Sequence, residues 1–320
     1  MNYNKQFNAA GEPKAVLPPE DPATGRSPGD QDDGTVYIYT EELELAVNVA
    51  LATGRPLLLR GPSGAGKSSL AKNVAYILGW RYYHTVISSR TQAQDLLWRF
   101  DNVLRLSEAL DAGKNVAPDA AYIQPGVLWW AFDPASAKRR GSDNPTVPAL
   151  PDPTLLSPDA ARAVVLIDEI DKADPDVPNN LLVPLGSFMF HVPELRVTVK
   201  TVTRPLIVIT TNDERELPNA FIRRCVVTTL PRPTAKKLFE IAVRHFGPDR
   251  YSLYEPIAAI LEQVAVAKER RNQHAPSTAE YLDAIAACME LGIVPGTSVE
   301  WEAVVSALFN KPRTGDDPTK

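Results

Sequence analysis

Pro56-Leu57-Leu58-Leu59-Arg60-Gly61-Pro62-Ser63-Gly64-Ala65-Gly66-Lys67-Ser68-Ser69 decides the fold. Its first five residues form a short apolar run of the kind that makes a buried parallel strand. From Ser68 to Leu78 the pattern becomes helical, and Gly79 supplies the stop. Between strand and helix, Gly61 to Ser68 satisfies G-x-x-x-x-G-K-[ST] in full, in the context that the motif requires. Glycines let the backbone wrap a phosphate, and successive N–H groups at a helix N-terminus form an anion nest. Residues 61–69 are therefore the expected phosphate cradle: Gly61, Pro62, Ser63, Gly64, Ala65, Gly66, Lys67, Ser68 and Ser69. In it Lys67 reaches the β- and γ-phosphates and the Ser68 hydroxyl ligates Mg²⁺.

Further buried strands are expected at Arg81–Ile87, Ala163–Ile167, Leu206–Thr210 and Cys225–Leu230. Three of them are bordered by polar groups suited to the same chemistry. Asp168 and Glu169 follow the third apolar run, at the strand edge where parallel sheets bind ligands. Asp168 can hold the shell of Mg²⁺, and Glu169 can deprotonate an attacking water. Asn212, after Ile207-Val208-Ile209-Thr210-Thr211, can bond that water or the γ-phosphate, although a turn-initiating Asn would look the same. In Leu217-Pro218-Asn219-Ala220-Phe221-Ile222-Arg223-Arg224-Cys225, an arginine can project into a neighbouring subunit's site. Two surface arginines closing a helix would read identically.

The rest of the chain frames this core. Residues 1–34 lack apolar periodicity, carry turn formers throughout, and read as a flexible tail with neither a signal nor a transit pattern. Ordered structure is expected from Thr35, with a helix over Thr40–Thr53. Ala93–Leu110 looks helical, Gly126–Phe132 is an aromatic helix or turn, and Lys138–Asp159 reads as an exposed loop. Asn179–Phe190 is helical, and Val197–Thr203 alternates like an exposed strand or hairpin. From about Pro231 the pattern is purely helical, with stripes over Thr234–Phe246, Ile257–Arg271, Ser277–Leu291 and Ser298–Asn310. Ser277-Thr278-Ala279-Glu280 spells a capping box. The organisation is thus a tail (1–34), an α/β nucleotide-binding domain with a parallel sheet (35–231), a small all-helical lid (232–310) and a polar tail (311–320).

Lys+Arg total 34 against 39 Asp+Glu, so the net charge of −5 leaves no global footprint for nucleic acid or an anionic membrane. Two distant cysteines, Cys225 and Cys288, fit a reducing compartment and a cytoplasmic protein. No apolar run reaches the ~18 residues of a membrane span.

Taken in order, the four segments resemble the AAA+ superfamily of P-loop ATPases and, within it, the MoxR-like branch. Gly61–Ser68 is similar to Walker A and Val164–Glu169 to Walker B. Asp168-Glu169-Ile170-Asp171-Lys172-Ala173-Asp174-Pro175 is similar to that branch's D-E-I-N-[KR]-A-x-P, with Asp171 in place of the usual Asn. Asn212 matches sensor 1, and Arg224 matches the arginine finger with Arg223 as the reserve. The resemblance covers about residues 35–310. It implies Mg²⁺-dependent ATP hydrolysis in a homo-oligomeric ring, expected to be a hexamer, that works mechanically on a protein client such as a partner with a von Willebrand A domain. It also places pore-facing loops in Gln92–Phe132, where Trp98, Phe100, Trp129 and Trp130 fit either core packing or a grip on the partner. One departure is that the capping box at Ser277 stands where a sensor 2 arginine is common.

A partner-triggered switch or scaffold in a defence or signalling system stays open, as does, less favoured, a nucleic-acid motor. The cradle reads phosphates and not the base, so GTP is not distinguished from ATP.

Overall fold

The protein is described here from a computed structural model over residues 3–15, 34–111, 116–271, 273, 275–296 and 298–310. Two compact units emerge. The first comprises described residues 3–15, 39–60 and 67–229; the second comprises 34–38, 61–66 and the described residues from 230 onward.

The first unit is built on a parallel sheet. Helix α1 (Glu41–Thr53) starts at the Thr40 hydroxyl, which accepts from the Leu43 N–H, and ends at Gly54 in the left-handed region. After it come β1 (Leu57–Arg60), α2 (Lys67–Leu78) and β2 (Arg81–Val86). Next are β3 (Trp98–Phe100), α3 (Asn102–Leu110), β4 (Ile123–Pro125), α4 (Val127–Phe132) and α5 (Pro134–Lys138). Then follow β5 (Ala163–Asp168), α6 (Asp176–Ser187), β6 (Met189–Val192), β7 (Val197–Lys200), β8 (Leu206–Thr211), α7 (Asn219–Ile222) and β9 (Val226–Thr229). The main sheet runs β2-β5-β8-β1-β9, and all of its pairings are parallel. Its central strands, β5 and β8, are covered on both faces, which explains why Ala163–Ile167 and Leu206–Ile209 are continuous apolar runs. Because the strands are parallel, their C-terminal ends share one edge, and every polar residue just past an apolar run emerges there.

Several expectations are corrected within this unit. Ala93–Leu110 is not one helix. It divides into a 3₁₀ turn (Ala93–Leu96), β3, and α3, because β3 pairs antiparallel with β4 and Asp101 then caps a new helix. The aromatic residues of Gln92–Phe132 are core: Trp98, Trp129 and Trp130 are buried and Phe100 packs against the same cluster. Trp98 stacks on Phe190 at 5.7 Å and Trp129 meets that ring edge-on at 5.7 Å. The segment Lys138–Asp159 has no regular element after α5, yet it is not simply exposed. Val147 and Leu156 are buried, and Asp152 bonds the Tyr83 hydroxyl at 3.0 Å. The strand or hairpin expected at Val197–Thr203 is β7, paired antiparallel with β6.

The flexible-tail expectation fails for residues 3–15. Phe7 is fully buried, and Asn48 of α1 brackets its backbone, accepting from the Phe7 N–H at 2.9 Å and donating to its carbonyl at 2.8 Å. Glu44 accepts from the Ala9 N–H and pairs with Lys5 at 2.7 Å. The Ala15 N–H reaches the Tyr76 carbonyl of α2. A short irregular segment with two aromatic residues, Tyr3 and Phe7, carries no period to read, so nothing in the sequence signals this docking. Residues 16–33 and 311–320 lie outside the described residues.

The second unit is helical: α8 (Ala235–Phe246), α9 (Tyr251–Arg270), α10 (Thr278–Leu291) and α11 (Val299–Phe309). Leu238, Tyr254, Ile257, Tyr281, Ile285 and Trp301 meet in its core. The capping box is formed: the Ser277 hydroxyl accepts from the Glu280 N–H, and the Glu280 carboxylate accepts from the Ser277 N–H at 2.7 Å. The domain boundary differs from the expected cut near 231, since 34–38 and 61–66 cluster with these helices instead of with the sheet.

Candidate functional site

At the C-terminal edge of the sheet, α2, β5 and β8 bring the expected polar residues together. Lys67 opens α2 and is buried, and its Nζ donates to Asn212 Oδ1 at 2.7 Å. Burial pushes the Lys67 ammonium below its ordinary value, against the pull of Asp168 and Asp171. Ser68 Oγ donates to Asp168 Oδ2 at 2.8 Å, and Thr210 Oγ1 donates to the other oxygen, Asp168 Oδ1. His84, at the end region of β2, lies 3.7 Å from Asp168 Oδ2. Burial opposes the charge on Asp168, but the contacts with His84, Thr210 and Ser68 outweigh it and hold the carboxyl below its usual range. Asp168 is thus a carboxylate kept ionised beside a hydroxyl, an oxygen pair suited to a hard divalent cation.

Glu169 turns the chain sharply. Its φ of 59° lies in the left-handed region, a conformation that costs a non-glycine residue on the order of 1–3 kcal/mol. The Glu169 N–H donates to Thr210 Oγ1 at 2.9 Å, fixing this turn to β8. One carboxylate oxygen accepts from Lys172 Nζ at 2.7 Å and the other from Asn212 Nδ2 at 3.4 Å. Asn212 is itself seated by Asp171, whose buried Oδ2 accepts from the backbone N–H groups of Asn212 (3.2 Å) and Glu214 (2.9 Å). Both bonds fall on the one oxygen, which an Asn amide oxygen could accept equally well, and among the described residues the buried Asp171 Oδ1 has no hydrogen-bond partner.

Within the second unit, the loop 61–66 is shaped by its neighbours. Gly61, Gly64 and Gly66 all have positive φ (140°, 75° and 84°). A Cβ on Gly61 would meet the Leu230 carbonyl at 2.2 Å, and one on Gly64 the Ser277 Cβ at 2.2 Å. The Gly64 carbonyl accepts from Thr278 Oγ1 at 2.8 Å. The capping-box segment that lacks an arginine therefore touches the loop through a hydroxyl. Pro62, Ala65 and Ser69 are half-buried, and Ser63 is exposed.

Arg223 and Arg224 are not brought to this edge. They precede β9, which runs parallel to β1, so they sit at the opposite edge of the sheet. Both are exposed, and among the described residues neither guanidinium has an ion pair or hydrogen bond. Arg224 borders a cavity of about 370 Å³ whose walls include Arg55, Arg204, Leu185, Phe188 and Cys225. Burial pushes the Cys225 thiol up to about 12, so it is packing and not a nucleophile.

Reading the sequence alone missed Thr210, His84, Asp171 and Lys172. Thr210 lay in a strand run that was read as apolar, and the other three become partners only through chain crossings of the sheet or the turn after Asp168.

A family model described as AAA domain (dynein-related subfamily) matches residues 56–238, more than half of the chain. Among solved structures the chain is similar to a point mutant of RuvB from Thermotoga maritima. That alignment has 16% identity over 85% of this chain and 71% of that one, with a TM-score of 0.46. No curated protein matches.

Proposed function

Because the chain belongs to the AAA domain family, in its dynein-related subfamily, we propose that it is an ATPase that binds Mg²⁺-ATP and hydrolyses it at the junctions of a ring. The observation that carries this reading is the convergence of Lys67, Ser68, Asp168, Glu169 and Asn212 at one sheet edge. Among the described residues no group of three or more His, Cys, Asp or Glu side chains could hold a metal by itself. One carboxylate with one hydroxyl suits Mg²⁺, which keeps waters and takes substrate phosphates as its other ligands. Ser68 and Asp168 would hold that ion, and the charge it supplies would offset that on the phosphates. The backbone of residues 61–66, with Ser69 in the first turn of α2, would wrap the phosphates, and Lys67 would pair with their β- and γ-oxygens.

In hydrolysis, a water oxygen bonds the γ-phosphorus, its proton passes to Glu169, and the bond to the ADP oxygen breaks. Asn212 orients that water. Arg224, with Arg223 in reserve, stabilises the transferring charge in a neighbouring copy, which its place at the far edge of the sheet supports.

The MoxR-like assignment rests on the residues from Asp168 to Pro175. With it come a hexamer and remodelling of a protein client, one with a von Willebrand A domain being the expected kind. No helix among the described residues is long and apolar enough to cross a membrane. Both cysteines are free and buried, which supports a reducing, cytoplasmic setting.

The deciding measurement is ATPase rate per subunit against protein concentration. A steep rise is expected, because each site is completed by its neighbour. A flat, substantial rate would overturn the ring mechanism. A rate near zero throughout would favour the partner-triggered switch, for which Thr278 in place of a sensor 2 arginine is the supporting observation.

A further inference from the structure

Glu169 is held more tightly than a general base should be. Both of its carboxylate oxygens are engaged, Oε2 by Lys172 Nζ at 2.7 Å and Oε1 by Asn212 Nδ2 at 3.4 Å. Asn212 Oδ1 is engaged in turn by Lys67 Nζ at 2.7 Å. A continuous polar chain therefore runs Lys67–Asn212–Glu169–Lys172. Its two ends differ. Lys67 is buried and is the cation that an incoming phosphate would claim. Lys172 lies three residues beyond Glu169 in the 3₁₀ turn Ile170–Lys172, and no phosphate-binding motif includes it.

The backbone of Glu169 cannot swing to escape this pair. Its left-handed φ is fixed by the bond from its N–H to Thr210 and by the Lys172 N–H, which donates to the Glu169 carbonyl at 3.0 Å. Only the side-chain torsions remain, and the ammonium of Lys172 draws the carboxylate along the turn. A base must offer a lone pair to the water, and here both carboxylate oxygens are engaged.

We propose that Lys172 is a positioning residue that restrains the Glu169 carboxylate and holds down the basal rate of hydrolysis. The proposal rests on the reading of Glu169 as the base. When phosphate takes Lys67, the Asn212 amide is freed to turn, and Lys172 becomes the last tether on the carboxylate. The tether is weak enough to be overridden, since the two side chains are 42% and 28% exposed and such pairs are screened by water.

The test is steady-state ATPase kinetics of the full chain carrying Lys172→Met, Lys172→Gln and Lys172→Arg, alongside Glu169→Gln and the Glu169→Gln/Lys172→Met double variant. Met and Gln at 172 are expected to raise kcat roughly two- to fivefold, the range that an exposed pair can restrain. The KM for ATP should stay unchanged and Arg should restore the wild-type rate. The double variant should be as slow as Glu169→Gln alone, because the effect passes through that carboxylate. Binding of a fluorescent ATP analogue identifies folded variants, and Lys172→Gln stands in if Lys172→Met does not bind it. A folded neutral variant with unchanged or lowered kcat overturns the proposal, as does a double variant as fast as Lys172→Met. A Glu169→Gln chain that keeps its turnover would instead remove the base assignment itself.

Discussion

The two edges of the main sheet are made from the same strands and have opposite characters. At the C-terminal edge, Lys67, Ser68, Asp168, Glu169, Thr210 and Asn212 bond one another, and each heteroatom pair is within ordinary hydrogen-bond reach or shorter. At the N-terminal edge, Arg223 and Arg224 stand exposed with no acidic partner among the described residues, and Arg224 borders an arginine-rimmed cavity. A set of groups that satisfies itself is arranged before any ligand arrives, and its geometry needs only the chain that carries it. Cations left unpaired are expected to find their anion elsewhere, in another molecule. The contrast divides one proposed reaction into a part each subunit owns and a part it lends.

Arg224→Ala is the sharpest way to break that division. The variant is expected to bind nucleotide as the wild type does and to lose ~10³–10⁵ in turnover, the range of arginine fingers. Mixed with Glu169→Gln subunits it should regain activity, since each partner then supplies what the other lacks. Full turnover in Arg224→Ala would make the exposed edge ordinary surface.

The self-satisfied edge is tested through Thr210, which bonds both Asp168 and the turn at Glu169. Thr210→Val keeps the shape and removes the hydroxyl, so a loss of roughly 10- to 100-fold in Mg²⁺-dependent activity is expected, typical of residues that orient a metal ligand. A Mg²⁺ titration of the rate would show it as a weaker apparent affinity for the ion. An unchanged titration would mean that Asp168 needs no such support.

The smallest effect on turnover should come from the segment 3–15, which serves neither edge directly. Phe7→Ala is expected to leave the turnover of folded protein near wild type while lowering stability by about 3–5 kcal/mol, as for a buried aromatic ring. Denaturant unfolding measures it. A change under ~1 kcal/mol would mean that the segment rests on the surface without contributing to the fold.

Much of the site was legible because its chemistry is local in sequence. The cradle needs glycines at fixed spacing, the carboxylate pair must follow an apolar strand, and Asn212 must end another. The strand runs Leu57–Leu59, Ala163–Ile167 and Leu206–Ile209 were each visible as apolar stretches too short for helices. The four terminal helices showed the 3.6-residue period, and Ser277-Thr278-Ala279-Glu280 announced its cap by residue type alone. Ala93–Leu110 was misread because a helical period there is overridden by a tertiary pairing, the antiparallel contact of β3 with β4.

What the sequence determined by itself, then, is what neighbours along the chain impose: glycine-rich strand-to-helix loop, strand-end carboxylates, caps and helical stripes. Tertiary structure alone decided which polar groups meet across strands. Thr210 joined Asp168, and Asp171 came to seat Asn212. It also decided that Phe7 is core and that the two arginines face away from their own chain's acidic edge. The physical reason is range. Propensity and spacing act over a few residues, whereas hydrogen bonds across a sheet and burial of a distant ring depend on contacts between positions 40 or more apart in the chain.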